Sequence, residues 1–511
     1  MKDQKELIVK VDGKVFNIND VDVTLLDFLR SQVGITSVKD GCSPQGQCGC
    51  CTVLVDGQAR ISCVTPVKRV AGREITTMEG LDTEIKTEWA EAFSEVGASQ
   101  CGFCTPGIIM RFAALQKNGE EVEIDKVKRS LHAHLCRCTG WQTIVEAWDK
   151  YGKSEGIIET KEASRRASIE GRSNQKIDLD TALGRGGFSA DTAPSNCLVA
   201  VPDSSGGWSL GEDLDEARNL SQKIQGRRTT IKAVSPIELP PGEWDAVLKT
   251  NWVEPGYLET DSAWCEPDGE PSTPLANGGA FGSKLESLAP EAARSLANKY
   301  RRPVLAILSR EDSVRLGPKR PPIAGGVNKN GKGIIRVART PGIVDAIHSV
   351  APEIEVEEID INGPPTSSKI RAAGWAEAQI LLCGAIGKVG TIYSPDGSSA
   401  SAEVDEKQIN ISVRCGLPLN ETVLRSYCIG AAHMAWSWVT SESLTVDENG
   451  EVQDLTVRSF GIVRAGEMPE VNVEIEPDKG DPINGSDAVF TAVAAATWIH
   501  KGTLPEWPIG Q

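Results

Sequence analysis

Apolar and polar side chains alternate in two stretches near the start of the chain, and each stretch is centred on a turn. Residues 6–18 contain two alternating runs around Asp12-Gly13, and residues 51–63 contain two more around Asp56-Gly57. Alternation places one face of a strand in a core and the other in water, and Asp-Gly is a favoured two-residue turn. The pattern therefore predicts two β-hairpins.

A helical pattern lies between the hairpins and dominates the chain directly after them. Residues 23–30 have helical spacing, with Thr24 placed to cap the first turn and Gly34 placed to end the helix. Further helical segments are predicted at residues 108–115, 127–135 and 143–148. We therefore predict a small α+β domain over residues 1–82 and a helical domain over residues 83–152.

The rest of the chain is predicted to form a third region. Residues 153–180 are predicted to be a linker, because most of this stretch is polar, rich in Glu, Arg and Ser, and without periodicity. Residues 181–511 mix strand-like and helical runs, which predicts an α+β body. Near its end we predict an apolar helix that Ser486 caps and Gly502 ends.

Length and charge narrow the classes of function. A chain of 511 residues exceeds the size that one hydrophobic core usually supports. Its formal charge of −17 opposes binding to nucleic acid or to anionic membrane surfaces. Neither a signal-like apolar stretch nor a run of about 18 apolar residues is present, so we expect a cytoplasmic protein that acts on small molecules.

The placement of cysteines indicates metal chemistry. Nine of the fourteen cysteines lie between Cys42 and Cys138, and such clustering in a long chain favours metal binding over disulfides. They form two sets of four, and Cys50 is left as a packed neighbour. The first set is Cys42, Cys48, Cys51 and Cys63, and the second is Cys101, Cys104, Cys136 and Cys138.

Four thiolates suit a [2Fe–2S] cluster, in which each iron takes two thiolates besides the bridging sulfides. Gly41, Gly46 and Gly49 would let the backbone bend around a first cluster and direct N–H groups at its sulfurs. A structural zinc ion held by four cysteines is the alternative for each set. The Cys-x-Cys pair of the second set is less usual for zinc than Cys-x-x-Cys.

The sequence around both sets resembles the iron–sulfur half of the xanthine dehydrogenase and aldehyde oxidoreductase family. The resemblance rests on GCSPQGQCGCCTV from Gly41, QCGFCTPG from Gln100 and CRCTGW from Cys136. It implies an α+β multidomain chain with a ferredoxin-like β-grasp domain and a helical-bundle domain, each holding one [2Fe–2S] cluster. It also implies a molybdenum–pterin cofactor that Gln100 and Cys138 would touch. One departure is the first gap of the first set, which has five residues where the family usually has four.

Later segments resemble the molybdenum-binding part of the same family. Residues 277–284, NGGAFGSK, are similar to its glycine loop. The resemblance assigns four of these residues to cofactor binding: Gly278, Gly279, Phe281 and Gly282. Arg371 opens a stretch similar to one whose arginine lies near the substrate, and Asp481 stands where the family has its general base, a glutamate.

The body is shorter than the resemblance leads us to expect. Only 109 residues separate Arg371 from Asp481, where family members have several hundred. Residues 181–511 are therefore predicted to be a shortened molybdopterin-binding-like region. Either a partner chain completes its pocket or the site is degenerate.

Two hypotheses follow. In the first, the chain is a molybdenum hydroxylase-type oxidoreductase that oxidises an aldehyde or N-heteroaromatic compound with water-derived oxygen, with Asp481 as base and Arg371 as substrate contact. In the second, it is a non-catalytic iron–sulfur subunit that docks a separate, full-length molybdenum subunit. The expected partners are a small-molecule substrate, an electron-acceptor protein or flavin subunit, and a molybdenum subunit or a second copy of the chain.

Overall fold

A computed structural model describes residues 7–42, 44–116, 122–156, 159–222, 229–272 and 278–510. The first domain is a mixed five-stranded sheet packed against a short helix. Its strands are β1 (Ile8–Val11), β2 (Lys14–Asn17), β3 (Thr52–Val55), β4 (Gln58–Ile61) and β5 (Glu74–Thr76), in the order β2-β1-β5-β3-β4. Both predicted hairpins are confirmed, because β1 pairs antiparallel with β2 and β3 pairs antiparallel with β4.

The predicted helix of this domain is confirmed together with both of its ends. Helix α1 (Leu25–Asp27) begins after Thr24, whose side chain accepts a hydrogen bond from the Asp27 N–H. A π-helical turn, Phe28–Val33, continues it to Gly34, which has a φ of 83°. Glycine adopts this left-handed conformation without steric cost, so it can end the helix where other residues would be strained.

The second domain is helical, as predicted. Its helices are α2 (Thr83–Glu95), α3 (Thr105–Gln116), α4 (Ile124–Ser130) and α5 (Gln142–Lys150). Trp89 on α2 stacks at the centre of an aromatic group that includes Phe112 of α3 and Trp148 of α5. The two cysteine-bearing domains share one hydrophobic core, so they behave as a single packed unit.

The body contains three four-stranded sheets. The first has β6 (Leu198–Pro202), β7 (Trp208–Gly211), β9 (Ser262–Cys265) and β10 (Val304–Ile307), in the order β7-β6-β10-β9. The second has β8 (Ala246–Lys249), β11 (Ile323–Val327), β12 (Gly333–Ala338) and β13 (Ile354–Ile359), in the order β13-β12-β11-β8. The third has β14 (Ile392–Tyr393), β15 (Ser399–Val404), β16 (Gln408–Arg414) and β17 (Glu470–Ile475), in that order.

Helices cover these sheets and form the largest core. They are α6 (Thr160–Gly171), α7 (Leu179–Ala182), α8 (Ser189–Thr192), α9 (Leu214–Ser221), α10 (Ala289–Tyr300), α11 (Arg310–Leu316), α12 (Ile343–His348), α13 (Trp375–Ile386), α14 (Glu421–Thr440) and α15 (Ser486–His500). Helices α14 and α15 pack on each other and are buried on almost every side, which explains why their sequences are apolar all round. None of the helices in the described ranges is both long enough and apolar enough to cross a membrane.

The structure differs from the predicted linker over residues 153–180. Helix α6 lies in this stretch, and both Arg166 and Glu170 on it are fully buried and form an ion pair of 3.0 Å. The Glu170 carboxylate accepts hydrogen bonds from the N–H groups of Gly485 and Ser486 at 3.1 and 2.9 Å. The segment is polar because it supplies charged groups to a buried site, which a pattern of apolar residues does not reveal.

These contacts also correct the predicted cap of α15. The N-cap residue is Gly485, which has no side chain, and the Asn484 side chain just before it accepts a hydrogen bond from the Asp487 N–H at 3.0 Å. Glu170, from a distant part of the chain, satisfies two further N–H groups at the positive end of the helix dipole. The Ser486 hydroxyl instead accepts a hydrogen bond from Arg371 at 3.0 Å. The predicted stop is confirmed, since Gly502 has a φ of 84°.

A buried ion pair joins the helical domain to the body. Arg137 donates to both carboxylate oxygens of Glu442, at 2.6 and 2.8 Å, and its Nε donates to the Pro255 carbonyl at 2.8 Å. Both side chains of the pair are at most 3% exposed. Removing one charge would leave the other buried without a counter-charge, which is far more costly than losing an exposed pair.

We therefore expect Glu442→Gln to lower the free energy of unfolding by about 3–5 kcal/mol. A matched control is Glu146→Gln, because Glu146 also binds an arginine of the body through two bonds, Arg425 at 2.9 and 2.7 Å, but about a third of each side chain is exposed. The control should cost about 1 kcal/mol or less. Guanidinium denaturation of the purified proteins measures both values, and equal losses would contradict the burial argument.

Candidate iron–sulfur and cofactor site

The first set of cysteines meets in a loop between the sheet and the helical domain. Cys42, Cys48, Cys51 and Cys63 are all at most 2% exposed. Hydrogen bonds from the Cys48 and Cys63 thiols hold the pKa of Cys42 well below its usual range, and Cys63 also contacts Cys51. The four thiols thus form a chain of neighbouring pairs. Ser43, within the unusually long first gap, lies outside the described residues.

Local backbone geometry brings these thiols together. Cys51 directly precedes β3, and Cys63 lies in the turn that follows β4, so the second hairpin carries two of the four. Gly46 and Gly49 have φ values of 68° and 71°, which bend the loop between them. The N–H groups of Gln47 and Cys63 point at the sulfurs of Cys42 and Cys51, each at 3.5 Å. Such N–H groups stabilise negative charge on a cluster and its thiolates.

The second set meets at the start of α3. Cys104 directly precedes this helix, and the sulfurs of Cys138 and Cys101 are 3.7 Å apart. Hydrogen bonds from the Cys104 and Cys138 thiols hold the pKa of Cys136 well below its usual range. Here too the thiols meet in neighbouring pairs, Cys104 with Cys136, Cys136 with Cys138, and Cys138 with Cys101.

The pairing matters for the choice of metal. A chain of thiol pairs offers two thiolates to each of two irons. The eight predicted ligands therefore fit two [2Fe–2S] clusters.

The two sets lie directly against each other. The Leu135 N–H donates to the Cys48 carbonyl at 2.9 Å. Cys48 is a predicted ligand of the first set, and Leu135 directly precedes Cys136, a predicted ligand of the second set. One hydrogen bond therefore links the backbones of the two sets. A methyl group on Gly107 of α3 would lie 2.4 Å from the Gly49 carbonyl oxygen, which shows how closely the two backbones approach. This contact gives electrons a short covalent and hydrogen-bonded path between the clusters.

His134 closes the same junction. Its Nε2 is 3.2 Å from the Thr52 hydroxyl and 3.3 Å from the Gly107 carbonyl oxygen. Burial lowers the pKa of His134 to about 3, so the ring is neutral at physiological pH. Cys50 is buried nearby, and its thiol donates to the Cys48 carbonyl at 3.7 Å and also contacts the Cys48 thiol.

The structure brings together Gln100 and Cys138, the two residues that the resemblance assigns to contact with the pterin. Gln100 donates through Nε2 to the Cys138 carbonyl at 3.1 Å and to the Ser426 hydroxyl of α14 at 2.8 Å. The Oε1 atom of Gln100 and the hydroxyl of Tyr427 are buried without a hydrogen-bond partner in the described part of the chain. Helix α14 presses closely on this corner, because a methyl group on Gly430 would lie 1.7 Å from the Cys138 carbonyl oxygen.

The glycine loop supports Arg371. Gly278 and Gly279 lie in a short 3₁₀ turn, and Phe281 is buried with its ring 3.8 Å from the Arg371 guanidinium. A methyl group on Gly282 would lie 2.1 Å from the Lys369 carbonyl oxygen, so this glycine is required by close packing. Asn277, at the start of the predicted loop, lies outside the described residues.

Arg371 meets a carboxylate that the sequence analysis did not select. Its Nε lies 3.2 Å from Asp487, in the first turn of α15, and its Nη1 lies 3.4 Å from the Met434 sulfur. Burial lowers the pKa of Arg371 from its ordinary value, and the Asp487 and Glu170 carboxylates oppose that shift. An acidic residue in the first turn of an apolar helix was the available signal for Asp487, but its arginine partner could not be identified from spacing.

The structure does not bring Asp481 to this group. Asp481 is exposed on the loop before α15. Its backbone carbonyl lies against Gly416, where an added methyl group would be 1.9 Å away. In the described residues no hydrogen bond or ion pair joins Asp481 to Arg371, and Asp487 is the carboxylate beside Arg371.

The fit to a molybdenum–pterin cofactor is incomplete. The unpartnered polar atoms of Gln100 and Tyr427 are the kind of groups that would bind a polar cofactor. The cavity beside Arg371, lined also by Arg320, Met434 and Glu442, has a volume of only about 30 Å³. This space suits a water molecule rather than a pterin.

Known proteins resemble the chain in its first third most strongly. A [2Fe-2S] binding domain model matches residues 77–149. The nicotine 6-hydroxylase small subunit of Paenarthrobacter nicotinovorans is 41% identical over 146 residues, which is 28% of this chain and 88% of that protein. The xanthine dehydrogenase iron–sulfur-binding subunit of Escherichia coli O157:H7 is 43% identical over 138 residues, 26% of this chain and 86% of that protein.

Solved structures resemble the whole chain in fold. The aldehyde oxidoreductase from Desulfovibrio desulfuricans matches with a TM-score of 0.69 at 14% sequence identity, and the match covers 97% of each chain. At this identity the likeness concerns the fold alone. It confirms the predicted α+β multidomain architecture, including the body, where the sequence match is weak.

Proposed function

Because the chain belongs to the xanthine dehydrogenase and aldehyde oxidoreductase family, we propose that it is a molybdenum hydroxylase-type oxidoreductase. It oxidises an aldehyde or N-heteroaromatic substrate with water-derived oxygen and passes the electrons through two [2Fe–2S] clusters. The observation that carries the proposal is the pair of four-thiol sets that approach within one hydrogen bond, from Leu135 N–H to the Cys48 carbonyl at 2.9 Å.

In this proposal the order of electron transfer follows from the contacts of the second set. This set lies against the body next to the proposed cofactor contact Gln100 and helix α14, so its cluster receives electrons first. The first set lies in the ferredoxin-like domain, and its cluster passes the electrons to an acceptor protein or flavin subunit. We place the protein in the cytoplasm, where thiols stay reduced.

A bound molybdenum–pterin cofactor would supply the oxygen-transfer chemistry and accept the electron pair from the substrate. Gln100, Cys138 and the loop of Gly278, Gly279, Phe281 and Gly282 are the proposed contacts for it. Arg371 is the proposed contact for substrate, and Asp481 the proposed base that removes a proton. The second carboxylate, Asp487, keeps Arg371 charged and oriented.

A second candidate is an iron–sulfur subunit that docks a separate molybdenum subunit. The specific observation in its favour is the cavity of about 30 Å³ beside Arg371. Two of the similar proteins are themselves named as a small subunit and an iron–sulfur-binding subunit.

Metal analysis separates these candidates. The chain should be produced where iron–sulfur assembly and molybdenum cofactor synthesis are both active, then analysed for metals and by visible spectroscopy. About four irons with one molybdenum per chain supports the first candidate, and about four irons without molybdenum supports the second. Zinc in place of iron, with a colourless protein, would overturn both.

A further inference from the structure

A cavity of about 310 Å³ lies between the ferredoxin-like domain and the sheet β7-β6-β10-β9, and the function proposed above does not use it. Its walls combine apolar and acidic side chains. The apolar part includes Leu26, Phe103, Phe188 and Ile307. A cavity of this size with apolar walls and a few charged groups is typical of a small-molecule site.

The cavity carries negative charge that the protein does not neutralise. Its two cations, Arg30 and Lys39, are both bound to Asp191. Asp27 and Asp215 also line it, and neither makes an ion pair with the described part of the chain. The electrostatic field inside therefore favours a positively charged ligand.

Asp215 shows the cost of this arrangement. Burial, and then the neighbouring Asp27 carboxylate, raise the pKa of Asp215 to about 6. Its ionised form is thus held at an energetic cost near neutral pH. A cation bound between Asp27 and Asp215 would reduce the repulsion between the two carboxylates. This relief would contribute to the binding free energy of the cation.

The cavity also reaches the first cluster. Phe103 lines it, lies between Cys101 and Cys104 in the chain, and packs edge-to-face on Phe188 with centroids 5.0 Å apart. A methyl group on Gly41 would lie 3.2 Å from the Phe103 ring and 3.0 Å from the Cys48 sulfur. The Phe103 ring and the Gly41 backbone therefore lie between the cavity and a predicted cluster ligand.

We propose that this cavity binds an aromatic organic cation that accepts electrons from the first cluster. The apolar walls, with the Phe103 ring, favour a flat ring system, and the Asp27 and Asp215 carboxylates supply the opposite charge. In each step one electron leaves a reduced cluster, which returns to its oxidised form, and the cation becomes a neutral radical. The proposal rests on the electron-transfer part of the proposed function and not on molybdenum.

The test uses the full protein with its clusters, reduced with dithionite and freed of excess reductant. In a stopped-flow instrument it is mixed with N-methylphenazonium, a flat cation, or with ferricyanide, an anion, and reoxidation is followed in the visible spectrum. With the cation we expect saturation, because binding precedes electron transfer. Asp215→Asn should raise the half-saturating concentration of the cation by about fivefold or more, without slowing reoxidation by ferricyanide.

Asp345→Asn is the matched control. Asp345 lies in the first turn of α12, as Asp215 lies in the first turn of α9, but it is exposed and does not line the cavity. This variant should leave the reoxidation kinetics with both acceptors unchanged. The proposed acceptor site would be overturned if Asp215→Asn left the half-saturating concentration of the cation unchanged, or if it slowed reoxidation by both acceptors equally. A wild-type protein without reducible clusters would instead overturn the proposed function, before any acceptor is added.

Discussion

Cys104→Ala is expected to remove the second cluster and halve the iron content, from about four to about two atoms per chain. Cys104 directly precedes α3, and its thiol contacts Cys136, so the pair it completes serves one iron. Alanine has no ligand atom, and an iron with one protein thiolate is not retained. Electron paramagnetic resonance after dithionite reduction should show one of the two signals.

The matched control is Cys50→Ala. Cys50 is as deeply buried as Cys104, and its thiol contacts both the Cys48 carbonyl and the Cys48 thiol, but it is not one of the eight predicted ligands. This variant should keep about four irons and both signals. Full iron in Cys104→Ala, or loss of iron in Cys50→Ala, would mean that the ligand sets are assigned incorrectly.

Asp481→Asn is expected to lower substrate turnover by about a hundredfold or more, because a positioned general base contributes about that much. It should leave the melting temperature unchanged, since Asp481 is exposed. Both clusters should still be reducible by dithionite. Steady-state kinetics with aldehyde and N-heteroaromatic substrates, together with thermal unfolding, measure these effects.

Asp487→Asn makes the same chemical change in the buried carboxylate. Asp487 is 3% exposed and pairs with Arg371 and Arg172, so its loss leaves buried positive charge without a partner. We expect a clear drop in melting temperature for this variant. If Asp481→Asn kept full turnover while folded Asp487→Asn lost it, the proposed role of base would pass from Asp481 to Asp487.

Helix α15 shows which of its features could be predicted from the sequence and which could not. Its apolar pattern predicted a buried helix and its end at Gly502, because side-chain periodicity and a left-handed glycine act within a few residues. Its cap could not be predicted. Glu170 satisfies the first N–H groups from more than 300 residues away, and a polar helix inside an apparent linker gives no sign of that contact.

The sequence by itself determined the two hairpins, the helical domain and the family, and it predicted the eight thiol ligands, since each depends on residue types at short spacing. Only the tertiary structure decided that Arg371 meets Asp487, that Arg137 meets Glu442, and that an acidic cavity adjoins the first cluster. The physical reason is that burial makes an isolated charge costly, so charges are paired across the fold between residues whose separation along the chain carries no pattern.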